Sequence, residues 1–202
     1  MSTTTEIANL AISHLGNGKE IGNLETENSQ EANAIRRFYE TSRDEMLRLF
    51  DWPFATKFVA LSLIEEDPTD EWGFSYQYPS DCLKFRRILG AGRNPINKNR
   101  LIYRTAYGTA GQIVLTDIED AEAEYTMGVT DTSRFTPDFV MALSYRLAAY
   151  VAARITKGDP FQMTKSIQQL YYTSLSIAQA NAMNEQQPDS YPDSEFISER
   201  NT

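Results

Sequence analysis

The chain has 202 residues, 41% of them hydrophobic, and 19 Lys and Arg against 28 Asp and Glu give a formal net charge of −9. That length holds one elaborated domain or two small ones, and an apolar share slightly under that of ordinary globular domains implies a folded chain with a thin core. A single cysteine, Cys82, and a single histidine, His14, exclude an internal disulfide framework, a multi-cysteine zinc cluster and a His-rich metal site; without a basic n-region or an uninterrupted apolar span, a soluble, non-secreted protein is expected.

A first helix is predicted where Thr3 and Glu6 stand at capping-box spacing, each able to satisfy a backbone N–H of the other's turn. Ile7, Leu10, Ala11 and Leu15 form its apolar face, and Gly16 and Gly18 close it. A second start at Asn28-Ser29-Gln30-Glu31 leads into Ala32, Ile35, Tyr39, Ser42, Met46 and Leu49, spaced alternately by three and four. Pro53 ends this helix by Asp51 or Trp52, for a length of about 22 residues, or roughly 33 Å.

From 57 to 127 the texture changes. Short aromatic or β-branched runs at 58–64, 73–78, 83–89, 101–104, 112–115 and 121–126 alternate with Pro, Gly and Asn clusters and read as antiparallel strands. Tyr107-Gly108-Thr109-Ala110-Gly111 is the best hairpin turn, because its glycines accept positive φ. Helix resumes at Thr136-Pro137-Asp138, with Leu143, Leu147, Tyr150, Val151 and Ile155 as its stripe. Lys157-Gly158-Asp159-Pro160 joins a stop to a start, so the next helix, to about Met183, is expected to fold back antiparallel with Met163, Ile167, Leu170, Tyr171, Ile177 and Ala178 inward. The remaining segment is polar and acidic, with only Tyr191, Phe196 and Ile197 as apolar anchors, and reads as an extended arm. The expected fold is α+β: an antiparallel helical bundle from residues 1–55 and 132–186, a β-rich antiparallel insertion at 56–131, and a C-terminal arm at 187–202.

Chemistry is sparse. A Cys–His nucleophile needs its groups in hydrogen-bond reach, yet Cys82 opens a strand and His14 closes a helix, so Cys82 is expected as a small buried residue and His14 as a cation favoured by the helix dipole. Paired carboxylates from Glu65, Glu66, Asp67, Asp70 and Glu71 offer a glycoside-hydrolase alternative, a peptidoglycan hydrolase, but they fall in runs without an apolar pocket to separate their pKa values. Asp117-Ile118-Glu119-Asp120 lacks the glycine and terminal Glu of a calcium loop, and Gly90-Ala91-Gly92 lacks the remainder of a phosphate loop. No residue is assigned a catalytic, cofactor or metal role.

The informative charges are local. Lys84, Arg86, Arg87, Arg93, Lys98, Arg100 and Arg104 form a basic run without an acid, whereas Asp117, Glu119, Asp120, Glu122, Glu124 and Asp131 form an acidic run without a base. Three readings stay open: pairing between neighbouring strands, pairing between copies of the chain, and contact with nucleic-acid phosphates, the last opposed by the net charge. Lys84, Arg86, Arg87, Arg93, Arg100, Arg104, Asp117, Glu119 and Asp120 are therefore candidate interface residues.

Several of these segments, taken in order, resemble the podovirus head-to-tail adaptors often called tail tubular protein A. The resemblance lies in Leu15-Gly16, the helix with Phe38-Tyr39 and Arg43-Asp44, Trp52-Pro53-Phe54-Ala55, and Tyr76-Gln77-Tyr78-Pro79-Ser80-Asp81-Cys82-Leu83. It continues through Tyr125-Thr126-Met127-Gly128-Val129-Thr130-Asp131, Phe135-Thr136-Pro137-Asp138-Phe139 and Arg146-Leu147-Ala148-Ala149, covering about residues 6–185. It implies a helical bundle with a β-rich insertion in a non-enzymatic virion protein of the neck, assembled in the host cytoplasm. Its members form a ring, usually of twelve copies, between the portal protein and the tail nozzle or tubular protein, with a tail fibre as a further candidate contact. Genomic DNA passes through the lumen without specific binding, and no membrane or cofactor is involved. Trp52 and Phe54 are assigned to packing.

Overall fold

A computed structural model describes residues 3–89, 101–109, 111–156 and 159–185. The described chain is mixed α+β, with four α-helices and two antiparallel sheets. It divides into two compact units, one holding Met1–Thr56 with Thr126–Asn184 and the other Lys57–Tyr125.

The first unit contains helices α1 (Thr4–His14), α2 (Gln30–Leu49), α3 (Pro137–Ile155) and α4 (Pro160–Asn184). Local chemistry sets each start. Thr3 and Glu6 complete the capping box on α1, Ser29 Oγ accepts from Ala32 N at 3.2 Å on α2, and Thr136 Oγ1 accepts from Phe139 N at 3.4 Å on α3. Asp159 Oδ1 does the same for α4, accepting from Phe161 N at 3.0 Å. Past the end of α1, Gly16 takes φ +68°, the left-handed conformation expected of it. The second helix stops at Leu49, a little earlier than Pro53 demands, because Phe50 is already extended; a 3-10 turn at Pro53–Ala55 follows.

Packing centres on α3, which lies against α1, α2 and α4 and buries Phe139, Leu143, Leu147 and Val151 completely. Asn181 Nδ2 donates to Asp138 Oδ2 at 2.7 Å, tying the end of α4 to the beginning of α3, so the two helices run antiparallel. Trp52 is fully buried, meets Phe50 and Phe139 edge-on, stacks with Phe54, and donates through Nε1 to the Met46 carbonyl at 2.8 Å. The α4 stripe differs from the expected one. Ile167, Tyr171, Ala178 and Ala182 are buried, while Leu170 and Ile177 stand 50% and 54% exposed. One residue along a helix is a rotation of about 100°, so positions 170 and 177 turn away from a line that 171 and 178 define.

The second unit is built from β1 (Thr56–Ala60), β2 (Leu63–Thr69), β3 (Trp72–Gln77), β4 (Cys82–Leu89), β5 (Tyr103–Gly108), β6 (Gly111–Thr116) and β7 (Glu122–Met127). Their orders are β1-β7-β4 and β2-β3-β6-β5. The run 58–64 is accordingly two strands in different sheets. Leu61 N bonds Ala121 O at 2.9 Å while the next residue, Ser62, gives its carbonyl to Gln77 N at 2.9 Å, and there the chain changes sheet. β2 also runs further than expected, through Pro68. An edge strand tolerates the missing donor, and register shifts on both sides of Glu65-Glu66, with Asp67 at φ +48°, absorb the irregularity. The hairpin from β5 to β6 is regular down to the pair Gly108–Gly111, where Gly111 takes φ +110°. Tyr76, Ile88, Val114 and Ala121 form the core of this unit, flanked by Phe74, Phe85, Tyr103 and Ile118.

Candidate functional site

The basic and acidic runs meet inside the β unit. β4 and β7 are neighbours, so Arg86 and Arg87 of one face Glu124 of the other. Arg86 Nη1 lies 3.5 Å from Glu124 Oε1 and Arg87 Nε lies 2.5 Å from Glu124 Oε2, with only 6% of the Arg86 side chain exposed. For these two arginines, pairing between neighbouring strands is what the structure contains. Lys84 is half-buried on the same strand, whereas Arg104 on β5 is exposed. Arg93, Lys98 and Arg100 lie outside the described residues, as do the arm anchors Tyr191, Phe196 and Ile197.

Asp117, Glu119 and Asp120 are exposed in the β6–β7 connection. Asp117 Oδ1 accepts from Gly73 N at 2.9 Å, which fixes the connection against the β2–β3 hairpin, and Asp120 holds φ +51°. That hairpin brings Asp67, Asp70, Glu71 and Asp117 around one depression of about 490 Å³, with Pro68, Thr69, Trp72 and Gly73 completing the lining. Glu65 and Glu66 point to solvent on the edge strand β2. A general acid requires a carboxyl set in apolar surroundings beside an ionised partner. Four acids gathered at an exposed hairpin tip supply no such contrast. Among the described residues, no group of three or more His, Cys, Asp or Glu side chains is placed to hold a metal ion.

A second depression, about 250 Å³, includes a charged cluster that the sequence did not reveal. Lys57 Nζ and the Tyr125 hydroxyl both bond Asp81, each at 2.7 Å. Burial, together with the bond to Asp81, pushes the Tyr125 hydroxyl up to about 12. Burial alone would raise the Asp81 carboxyl, but the bonds from Lys57 and Tyr125 outweigh it and hold that group below the usual carboxylate range. The cluster is charge-balanced and leaves neither a free acid nor a free base. Cys82 is half-buried nearby, with Sγ 3.1 Å from the Tyr78 hydroxyl.

Within the helical unit, His14 departs from its expected role. Its ring stacks on Tyr145 at 3.9 Å, and Nε2 lies 3.0 Å from Ser144 Oγ, whose own proton goes to the Met141 carbonyl at 2.7 Å. Nε2 is therefore the donor. Burial lowers its pKa, so desolvation prevails over the helix dipole. A further network joins three helices: Arg146 pairs with Glu45 through two contacts, one of them Nε–Oε2 at 3.1 Å, and Tyr150 OH donates to Glu45 Oε2 at 2.9 Å. The Arg146 guanidinium sits 4.5 Å from the Tyr150 ring centre and 5.1 Å from that of Tyr171. Burial opposes the Arg146 charge, yet Glu45 outweighs it and raises the pKa, while burial pushes Tyr171 up to about 12.

No protein-family model matches the chain, and no curated protein matches it significantly. Among the described residues no helix is long and apolar enough to cross a membrane. What the geometry offers is surface: Arg104 at one sheet edge, the acidic β6–β7 connection, and α4, whose outward sides carry Phe161, Leu170, Tyr172, Ile177 and Met183 half or more exposed.

Proposed function

We propose that the chain is the subunit of a ring-shaped head-to-tail adaptor in a short-tailed phage, joining the portal to the tail nozzle around the DNA channel. In this reading the helices form an antiparallel bundle, the β unit is its insertion, and the C-terminal arm reaches a neighbour or the portal. The protein works by assembling, in the virion neck, and turns over no substrate.

One observation carries the reading. Helices from both ends of the chain fold into one unit and the strands between them into another, which is the arrangement that the resemblance implies. The resembling segments also have physical work that suits a scaffold. Trp52 and Phe54 pack against Phe139, and Thr136-Pro137-Asp138 starts the central helix. The net charge of −9 favours a lumen that repels the phosphate backbone and lets DNA pass. The hydrolase alternative loses support because its carboxylates gather at an exposed hairpin without an apolar partner site.

Mixing the purified full chain with portal rings and imaging the product by negative stain tests the proposal. Added density in a ring beneath the portal is expected. Portal rings that stay bare, or peptidoglycan clearing that a Glu71→Gln change abolishes, would overturn it.

A further inference from the structure

Helix α4 carries far more apolar surface than its own unit uses. Its 25 residues include one charged side chain, Lys165, and its inward stripe is the narrow line of Ile167, Tyr171, Ala178 and Ala182. At 100° per residue, Leu170 and Ile177 lie roughly 100° to one side of that stripe, and Phe161, Tyr172 and Met183 roughly 100° to the other. Their exposures are 50% and 54% on the first shoulder and 86%, 61% and 61% on the second. Lys165, exposed, falls on the second shoulder in the direction of Met183, and between the shoulders the outermost crest is polar and uncharged, as at Gln169 and Thr173.

We infer that α4 is the contact between copies of this chain, the Leu170–Ile177 shoulder of one copy packing against the Phe161–Tyr172–Met183 shoulder of the next. Exposed apolar side chains on two unlike sides of one helix, the second set among Lys165 and Gln168, suit a head-to-tail row, in which every copy offers a different face to each neighbour. A two-fold pair would use a single strip twice and leave the other in water. The near absence of charge singles out this helix as the place where copies of net charge −9 approach without mutual repulsion. The five side chains expose together roughly 600 Å². Brought together in one contact, they form the apolar centre of a standard interface of about 1,600 Å², with the neutral crest and adjoining residues supplying the polar rim. The inference rests on the ring reading and adds which helix makes the ring and how.

Cross-linking tests it with the full chain. In a Cys82→Ser background, the double variant Leu170→Cys with Tyr172→Cys is treated with a short bis-maleimide, beside each single variant. A ladder of covalent multimers from the double variant, with the singles staying monomeric, is expected, because only unlike shoulders meet. Single variants that dimerise as efficiently as the double variant cross-links would mean two-fold pairing and overturn the inference. A double variant that assembles by light scattering as the wild type does yet gives no ladder would remove α4 from the interface and leave the ring reading standing; one that no longer assembles while its circular dichroism spectrum is unchanged would bear the inference out. A wild-type chain that stays monomeric at about 100 μM and also leaves portal rings bare would sink both. As a second measurement, Ile177→Glu is expected to weaken assembly at least about tenfold with an unchanged far-ultraviolet circular dichroism spectrum; unaltered assembly would overturn the inference.

Discussion

Removing Glu45 should destabilise the helical unit more than removing its partner Arg146, and the reason is geometric. The Glu45 side chain is 32% exposed and keeps the Tyr150 hydroxyl as a donor, so in Arg146→Met the carboxylate rehydrates and the loss is about 1 to 2 kcal/mol. The Arg146 side chain is only 15% exposed and lies against two tyrosine rings. In Glu45→Gln its charge is left without an anion where water reaches it poorly, which places the loss at about 2 to 4 kcal/mol, toward the range for breaking a buried pair and softened by the remaining cation–π contacts. The double variant removes the stranded charge and should lose less than the two single losses added, with a coupling of at least about 1 kcal/mol. Urea unfolding followed at 222 nm is the assay, because all four helices belong to this unit. Glu45→Gln proving milder than Arg146→Met, or strictly additive losses, would refute the reasoning.

Acid should act on His14. The folded-state pKa is lowered from 6.5, so its contribution is complete above pH 6.5 and is lost as the pH falls below it, where the unfolded chain takes up a proton that the folded one resists. The urea midpoint should drop between pH 7.5 and 5.5 in the wild type and drop less in His14→Gln. Trp52→Ala should cost about 3 to 5 kcal/mol, and Trp52→Phe about 1 to 3 for the lost bond to the Met46 carbonyl, an order that the same urea series checks. Arg86→Gln should cost the β unit about 1 to 3 kcal/mol, because Arg87 still holds Glu124 and only the contact of the buried Arg86 is lost, against less than about 0.5 for Arg104→Gln on the exposed edge; the fluorescence of Trp72 in a Trp52→Phe background reports the difference.

The helices were legible because their chemistry is local. A Thr–Glu capping box, a Thr-Pro-Asp start and a Gly in the left-handed region act within one turn and owe nothing to distant neighbours. The strand at 58–64 was not, since its division at Leu61-Ser62 depends on which of two sheets offers the next hydrogen bond, a matter of tertiary pairing. The burial of Leu170 and Ile177 was misjudged for a related reason. Apolar spacing marks every side of a helix fit for burial, and α4 has three such sides, of which its own unit covers one. The charged poles were visible in the sequence, but the pairing of Arg86 and Arg87 with Glu124 required the order β1-β7-β4. Likewise Lys57, Asp81 and Tyr125 come from three separate segments, and no spacing along the chain announces them.

The mass of the purified chain in solution tests the central claim most directly. With a subunit of 22.9 kDa, a closed ring of twelve weighs about twelve times that, roughly 275 kDa. Mass photometry across a concentration series should find one dominant closed species near that value, with few intermediates between it and the subunit. A single peak at the subunit mass at every concentration, with added portal rings gaining no mass from the chain, would contradict the account.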